Sequence, residues 1–194
     1  MVPRFPLLLT LLLIGSVASV RAAQVPAPIG SGTLLRGKLS FDGHATLGDF
    51  TGVTTTVRGE VTAAAELAGV RGWVEAPVNS LKTGNGTRDH DLNSSMESGT
   101  FPVIRFDLTE VAPGTTRGDT VALTLRGTLK IHGIERAVDL PGTAVFSAGQ
   151  VEVRTDFPLN LHDYQIKGLS KFFGTLKMHP DIVVHVDVIF SPGG

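Results

Sequence analysis

The chain has 194 residues, 42% of them hydrophobic and 18% charged, with 23 Gly, 11 Pro and no Cys. Without cysteine there is no disulfide scaffold, no zinc ribbon and no thiol nucleophile, and the apolar content is too high for a disordered chain. The formal net charge is −1 and Lys and Arg are scattered, so no basic face recommends nucleic acid; the length suits one domain with a sizeable core.

The first element is a leader. Arg4 precedes the apolar run Leu7–Ile14, and small residues follow at Gly15, Ser16, Ala18 and Ser19. This is the order of a secretory signal peptide, with cleavage expected after Ala18 or Ala22; an uncleaved N-terminal anchor is the competing reading. The stretch from Phe5 to Val20 is 16 residues, short for a membrane span of about 20. Removing residues 1–22 takes away Arg4 and Arg21 and no acid, so the mature charge becomes −3. The expected organisation is a signal peptide at 1–22, a Pro/Gly linker at 23–32 and one domain at 33–191. The expected location is periplasmic or secreted, after cleavage.

Period-2 alternation dominates the domain. Leu35, Leu39 and Phe41 alternate with Arg36, Lys38 and Ser40; Val53, Thr55, Val57 and Val61 alternate with Thr54, Thr56, Arg58 and Glu60. Val70 and Val74 follow, with Trp73 falling on the polar face. Asn85 to Met96 breaks the pattern, and Arg88, Leu92 and Met96 at helical spacing predict a short helix. Ile104, Phe106 and Leu108 resume the alternation, and Pro113-Gly114 reads as a turn. The cleanest strand runs from Val121 to His132. Its row of Val121, Leu123, Leu125, Leu129 and Ile131 opposes Thr124, Arg126, Thr128 and Lys130, a pattern no helix can satisfy. His132-Gly133 reads as a turn, and 136–146 as a less regular strand interrupted by Pro141. Val151, Val153, Phe157, Leu159 and Leu161 form another row, and Ile182, Val184, Val186, Val188 and Phe190 the last. Between them Leu169, Phe172, Phe173 and Leu176 lie at i, i+3, i+4 and i+7, which predicts a helix of barely two turns. Eight half-buried strands with tight turns predict a β-sandwich or a closed antiparallel barrel.

The catalytic search is thin. There is no His-Glu-x-x-His, no Gly-x-Ser-x-Gly and no phosphate-cradling glycine loop. The histidines, His44, His90, His132, His162, His179 and His185, show no i, i+4 pair on the expected helices, and His132 and His185 fall on polar faces or turns, where solvated surface histidines are expected. No metal site is expected. The informative feature is the interior: Leu39, Phe41, Phe106, Leu125, Leu129, Phe157, Leu159 and Val186 are candidates to point inward. A barrel of about eight strands is filled by side chains or holds one small ligand. The short helix, with Leu169, Phe172, Phe173 and Leu176, is a plug or a pocket lid. Lys167, Lys171 and Lys177 around it suit transient contact with an anionic membrane surface.

Three stretches carry a resemblance. One is Ser80-Leu81-Lys82-Thr83-Gly84-Asn85 followed by Arg88-Asp89, Leu92 and Phe101-Pro102-Val103-Ile104-Arg105-Phe106. A second is Gly127-Thr128-Leu129-Lys130-Ile131-His132-Gly133-Ile134-Glu135-Arg136-Ala137-Val138. The third is Gly48-Asp49-Phe50-Thr51-Gly52 with Gly59-Glu60-Val61. In order and spacing they resemble the YceI-like family of periplasmic polyisoprenoid-binding proteins. The resemblance implies an all-β, lipocalin-like closed antiparallel β-barrel of about eight strands, with one inserted short helix and a short helix before the last strand. It implies a long apolar pocket, with Leu92 and Met96 lining it from the inserted helix and Arg88 and Asp89 forming a buried structural pair. Gly127, Gly133 and Arg136 take framework roles. No cofactor is implied beyond a bound isoprenoid or quinone-like lipid.

The expected function is that of a binding or carrier protein for a long-chain isoprenoid or related amphiphilic lipid, not an enzyme. Its partner is an isoprenoid lipid or another apolar small molecule, with no nucleic acid, and the chain is a monomer or a homodimer. A filled-barrel structural or interaction protein and a lipid-modifying enzyme are the competing readings.

Overall fold

The computed structural model describes residues 31–192 apart from positions 47, 63, 148, 168–169 and 172–175. The expected signal peptide lies outside the described residues, as does most of the linker; Gly32 already opens the first strand.

The elements in chain order are β1 (Gly32–Ala45), β2 (Gly48–Thr54), β3 (Arg58–Thr62), β4 (Arg71–Pro77), α1 (Gly86–Ser95), β5 (Val103–Arg117), β6 (Thr120–Ile131), β7 (Ile134–Ser147), β8 (Gln150–Asn160), β9 (Ser170–Lys171), β10 (Leu176–Lys177) and β11 (Asp181–Pro192). Single 3-10 turns sit at Leu67–Gly69, Val78–Ser80 and Leu161–Tyr164. Strands β1, β3, β4, β5, β6, β7, β8 and β11 pair antiparallel in that order, and β11 returns to β1. The result is the closed eight-stranded antiparallel barrel with an inserted helix that the alternation and the resemblance implied. Its core is the inner row of each strand. Val121, Leu123, Leu125, Leu129 and Ile131 of β6 are all buried, as the Val121–His132 alternation requires.

The hairpin turns follow their residues. His132 and Gly133 join β6 to β7 with φ of 51° and 74°. Two consecutive positive φ values match the right-handed twist of the flanking strands. Gly133 has a second reason to lack a side chain: a Cβ there would sit 2.6 Å from the Phe101 ring.

Four expectations need correction. First, the row Val53, Thr55 and Val57 does not share one inner face. Register pairs Phe41 with Gly52 and Leu39 with Thr54, and cross-strand partners share a face. Gly52 and Thr54 therefore lie on the Leu39–Phe41 side, and Val53 on the other. The pattern switches between β2 and β3, where Thr55–Val57 leave the ladder. Opposite this break, β1 carries a bulge between Leu34 and Arg36. The two irregularities offset each other, so β3 resumes pairing with β1 in the same frame, Val61 against Gly32. Buried Thr54 is satisfied by a 2.7 Å hydrogen bond to the Ser80 hydroxyl, which is why the apolar pattern misplaced it.

Second, Pro113-Gly114 is no turn. It lies within β5, at a register shift between Pro113 and Thr116, and the chain reverses at Gly118. Third, Pro141 does not interrupt β7. It sits where the β7–β8 ladder begins, at Gly142 opposite Thr155, so its missing N–H breaks no bond to β8. Fourth, the helix expected over Leu169–Leu176 is replaced by a two-residue antiparallel ladder, Ser170–Lys171 against Leu176–Lys177. Two turns of helix carry the full nucleation cost with few bonds to offset it, and pairing engages the Ser170–Lys171 and Leu176–Lys177 backbone instead. Leu169, Phe172 and Phe173 lie outside the described residues.

Candidate functional site

The barrel encloses an apolar cavity of about 220 Å³. It touches Val70, immediately before β4, and Leu81, just beyond its end, and so follows the length of that strand. Leu39, Phe41, Phe106, Leu125, Leu129, Phe157, Leu159 and Val186 all reach it from the strands, and Leu92 and Met96 reach it from α1. Sequence reasoning did not anticipate the contributions of Val111, Leu123, Leu140, Ile166 and Met178. Leu123 and Leu140 were legible as strand residues, but their depth along the barrel was not.

Two features of the inner wall keep space open. The Phe41 ring lies against Gly52, where a Cβ would fall 2.2 Å from a ring carbon, and Phe106 lies against Gly127 in the same manner, at 2.7 Å. Each ring is thereby accommodated against the wall. A larger side chain at either glycine would drive the ring inward.

Helix α1 follows the segment after β4, which is tied to β2 by the Val53–Lys82 backbone pair and the Thr54–Ser80 hydroxyl contact. Asn85 caps the helix by accepting a hydrogen bond from the Arg88 N–H at 3.1 Å. Leu92 and Met96 are its buried apolar anchors. The expected Arg88–Asp89 buried pair takes a different form. Both residues are half-buried, and they meet through Thr83. The Thr83 N–H and hydroxyl each donate to Asp89 Oδ1 at 2.7 Å, while Arg88 Nε donates to the Thr83 hydroxyl oxygen at 3.0 Å. These Thr83 hydrogen bonds, the hydroxyl first, hold the Asp89 carboxyl below the usual carboxylate range. The Arg88 guanidinium also lies 4.4 Å from the Phe50 ring centre. A fully buried ion pair would carry a heavy desolvation cost; a hydroxyl shared at the edge avoids it.

The outer face is a lattice of paired charges. Trp73, which the alternation set on the polar face, lies under the Arg105 guanidinium at 4.5 Å, and Arg105 pairs with Glu75 and Asp107. His185 bridges three strands: its Nδ1 is 2.5 Å from Asp156 on β8 and its Nε2 is 3.1 Å from Asp42 on β1. Carboxylates accept from both ring nitrogens, so the Asp156 hydrogen bond first, and Asp42 with it, raise the His185 pKa. His132 is nearly buried and its Nδ1–H donates to the Tyr164 carbonyl at 3.1 Å. The sequence suggested solvated histidines at both positions; the partners come from the neighbouring strands for His185 and from the Leu161–Tyr164 turn for His132. Among the described residues no three His, Asp or Glu side chains converge as metal ligands, and no helix is long and apolar enough to cross a membrane. Lys167 is exposed, and Lys171 and Lys177 lie on the β9–β10 ladder.

The model of the YceI-like domain family matches residues 36–190. Among solved structures, the polyisoprenoid-binding domain from Saccharophagus degradans, implicated in plant cell wall breakdown, superimposes with a TM-score of 0.68 at 17% identity, over 84% of this chain and 98% of that one. BcnA from Burkholderia cenocepacia gives 0.68 at 15% identity, over 79% and 95%. The YceI protein of Campylobacter jejuni gives 0.50 at 16% identity, over 64% and 73%. At these identities the likeness is one of fold. Among curated proteins no match to the chain was found.

Proposed function

Since the chain belongs to the YceI-like family, we propose that it binds a long-chain isoprenoid or related amphiphilic lipid inside the barrel and carries it through the periplasm after export. The observation that carries this reading is the apolar cavity following β4 from end to end. A filled barrel would leave no such space. Burying ~15 methylene-sized groups at ~0.8 kcal/mol each gives about 12 kcal/mol of transfer free energy. Association and chain ordering remove about 4 kcal/mol or more of it, which leaves roughly micromolar affinity at best. That the Saccharophagus degradans neighbour is a polyisoprenoid-binding domain supports the ligand class. The Arg4 and Leu7–Ile14 pattern supports export, with cleavage near Ala18 or Ala22.

Native mass spectrometry of the protein purified from its own host, followed by lipid extraction, tests the ligand. An isoprenoid adduct, or stoichiometric uptake of added geranylgeraniol by delipidated protein, is the expected result. Protein that neither retains nor takes up any isoprenoid overturns the reading. N-terminal sequencing of the exported product tests the leader, and a mature chain starting at Met1 overturns the cleavage.

A further inference from the structure

We infer that the Ser95 hydroxyl is the contact point for a neutral, hydrogen-bonding lipid head group, so that the ligand lies with its head at the α1 end and its tail toward Leu67 and Val70. This rests on the lipid-binding reading and adds to it the head-group chemistry and the direction of the chain.

The first observation concerns charge. Among the described residues no Lys, Arg or His lines the cavity. The single acid at its edge, Glu75, has its carboxylate engaged by Arg58 at 3.0 Å and Arg105 at 3.1 Å on the outer face. A phosphate or carboxylate head drawn into this space would be desolvated with nothing to neutralise it.

The second observation separates the two hydroxyl-bearing residues that border the cavity among the described residues, Thr155 and Ser95. The Thr155 hydroxyl donates to the Pro141 carbonyl at 2.7 Å, so its proton is committed. Ser95 makes no side-chain hydrogen bond among the described residues. It is half-buried, and it stands one turn from Leu92 and beside Met96, both of which reach the same cavity. A free hydroxyl donates one hydrogen bond and accepts others. It therefore suits an alcohol or a quinone carbonyl, the neutral ends of isoprenoid chains.

The third observation is placement. Ser95 is the last residue of α1, and the cavity continues past the strands to Leu67 and Val70 beyond the other end of β4. From Ser95 onward the inner wall offers hydrocarbon contacts and the committed Thr155.

The test uses the delipidated protein and three probes of one chain length: geranylgeraniol, geranylgeranyl phosphate and the headless hydrocarbon. Affinities are read by native mass spectrometry and by displacement of a fluorescent apolar dye. The unmodified protein should bind the alcohol about fivefold more tightly than the hydrocarbon, the scale of one net hydrogen bond of about 1 kcal/mol. The phosphate should bind at least about tenfold more weakly than the alcohol, as expected for an uncompensated charge. Ser95→Ala should bring the alcohol-to-hydrocarbon ratio to about one with hydrocarbon affinity unchanged, since Ala is a better helix former than Ser. Thr155→Val should leave the ratio intact. A ratio that survives Ser95→Ala, a ratio lost in Thr155→Val instead, or phosphate binding equal to the alcohol overturns the Ser95 assignment. Failure of the hydrocarbon and the alcohol alike to bind overturns the lipid reading itself.

Discussion

The Phe106 ring lies against Gly127 on the neighbouring strand, so closely that a Cβ on Gly127 would fall 2.7 Å from the tip of the ring and 2.2 Å from the Asp107 carbonyl oxygen. The ring reaches the cavity and settles against the wall because that one position carries no side chain. Gly127→Ala must therefore displace both a ring and a backbone carbonyl. We expect it to lower stability by about 1–3 kcal/mol and to push Phe106 into the space a ligand would use. Urea unfolding midpoints measure the first effect. Unchanged midpoints would show that the ladder yields without cost.

Ala144 offers the opposite experiment. It is 1% exposed and lines the cavity. Ala144→Phe places a ring into existing space, so the barrel should keep its melting temperature within a few degrees while lipid uptake falls at least about tenfold, as the ring excludes the chain. Loss of uptake together with collapse of the fold would mean that the site was already fully packed.

Thr83 ties Arg88 and Asp89 to the strand side of α1. Thr83→Val removes the hydroxyl that donates to Asp89 and accepts from Arg88, and leaves the backbone donor in place. Hydrogen exchange should rise across Gly86–Ser95 with little change in the β6 and β7 amides, because local opening draws on the weakest unit of a fold. Exchange rising equally in β6 would contradict a local role.

His185 gives the barrel a pH dependence of known sign. Its folded-state pKa lies above the ordinary 6.5, through Asp156 first and Asp42 next. Its contribution is therefore fully present below about pH 6.5 and is lost as pH rises through the folded value. Because the ring is 38% exposed, solvent screens the effect and the change is small. Chemical denaturation midpoints of the unmodified protein should fall more steeply between pH 6 and 9 (roughly the range of a raised histidine pKa) than those of His185→Gln. Parallel curves would remove His185 from the account.

Legibility in the sequence tracked how strongly each residue's partners are local. The β6 row from Val121 to Ile131 is decided by alternation alone, and the eight inward candidates follow from the same period. The β2 row was misread because Thr54 is buried through a hydroxyl 26 positions away, Ser80, which apolar patterning cannot register. The stripe at Leu169–Leu176 has helical spacing, yet spacing carries little weight over two turns. His185 looked solvated because its carboxylates stand on other strands, at Asp156 and Asp42. Ser95 is invisible in sequence: only the absence of a partner marks it, and an absence requires coordinates.

Closure through β1 and β11 carries a consequence for the order of events in folding. Leu34 pairs with Phe190 and Asp42 with Val183, contacts between the opposite ends of the domain. Such distant pairings impose the largest loop-closure cost and come late. Until residues near 190 arrive, the partly formed sheet has an open edge and presents its greasy face to the surroundings. A chain threaded through an export channel from its N-terminus would hold that edge open for the whole of its passage. The period of greatest vulnerability to aggregation is therefore also the one in which the future cavity is most accessible, and a lipid present then would be built in rather than admitted.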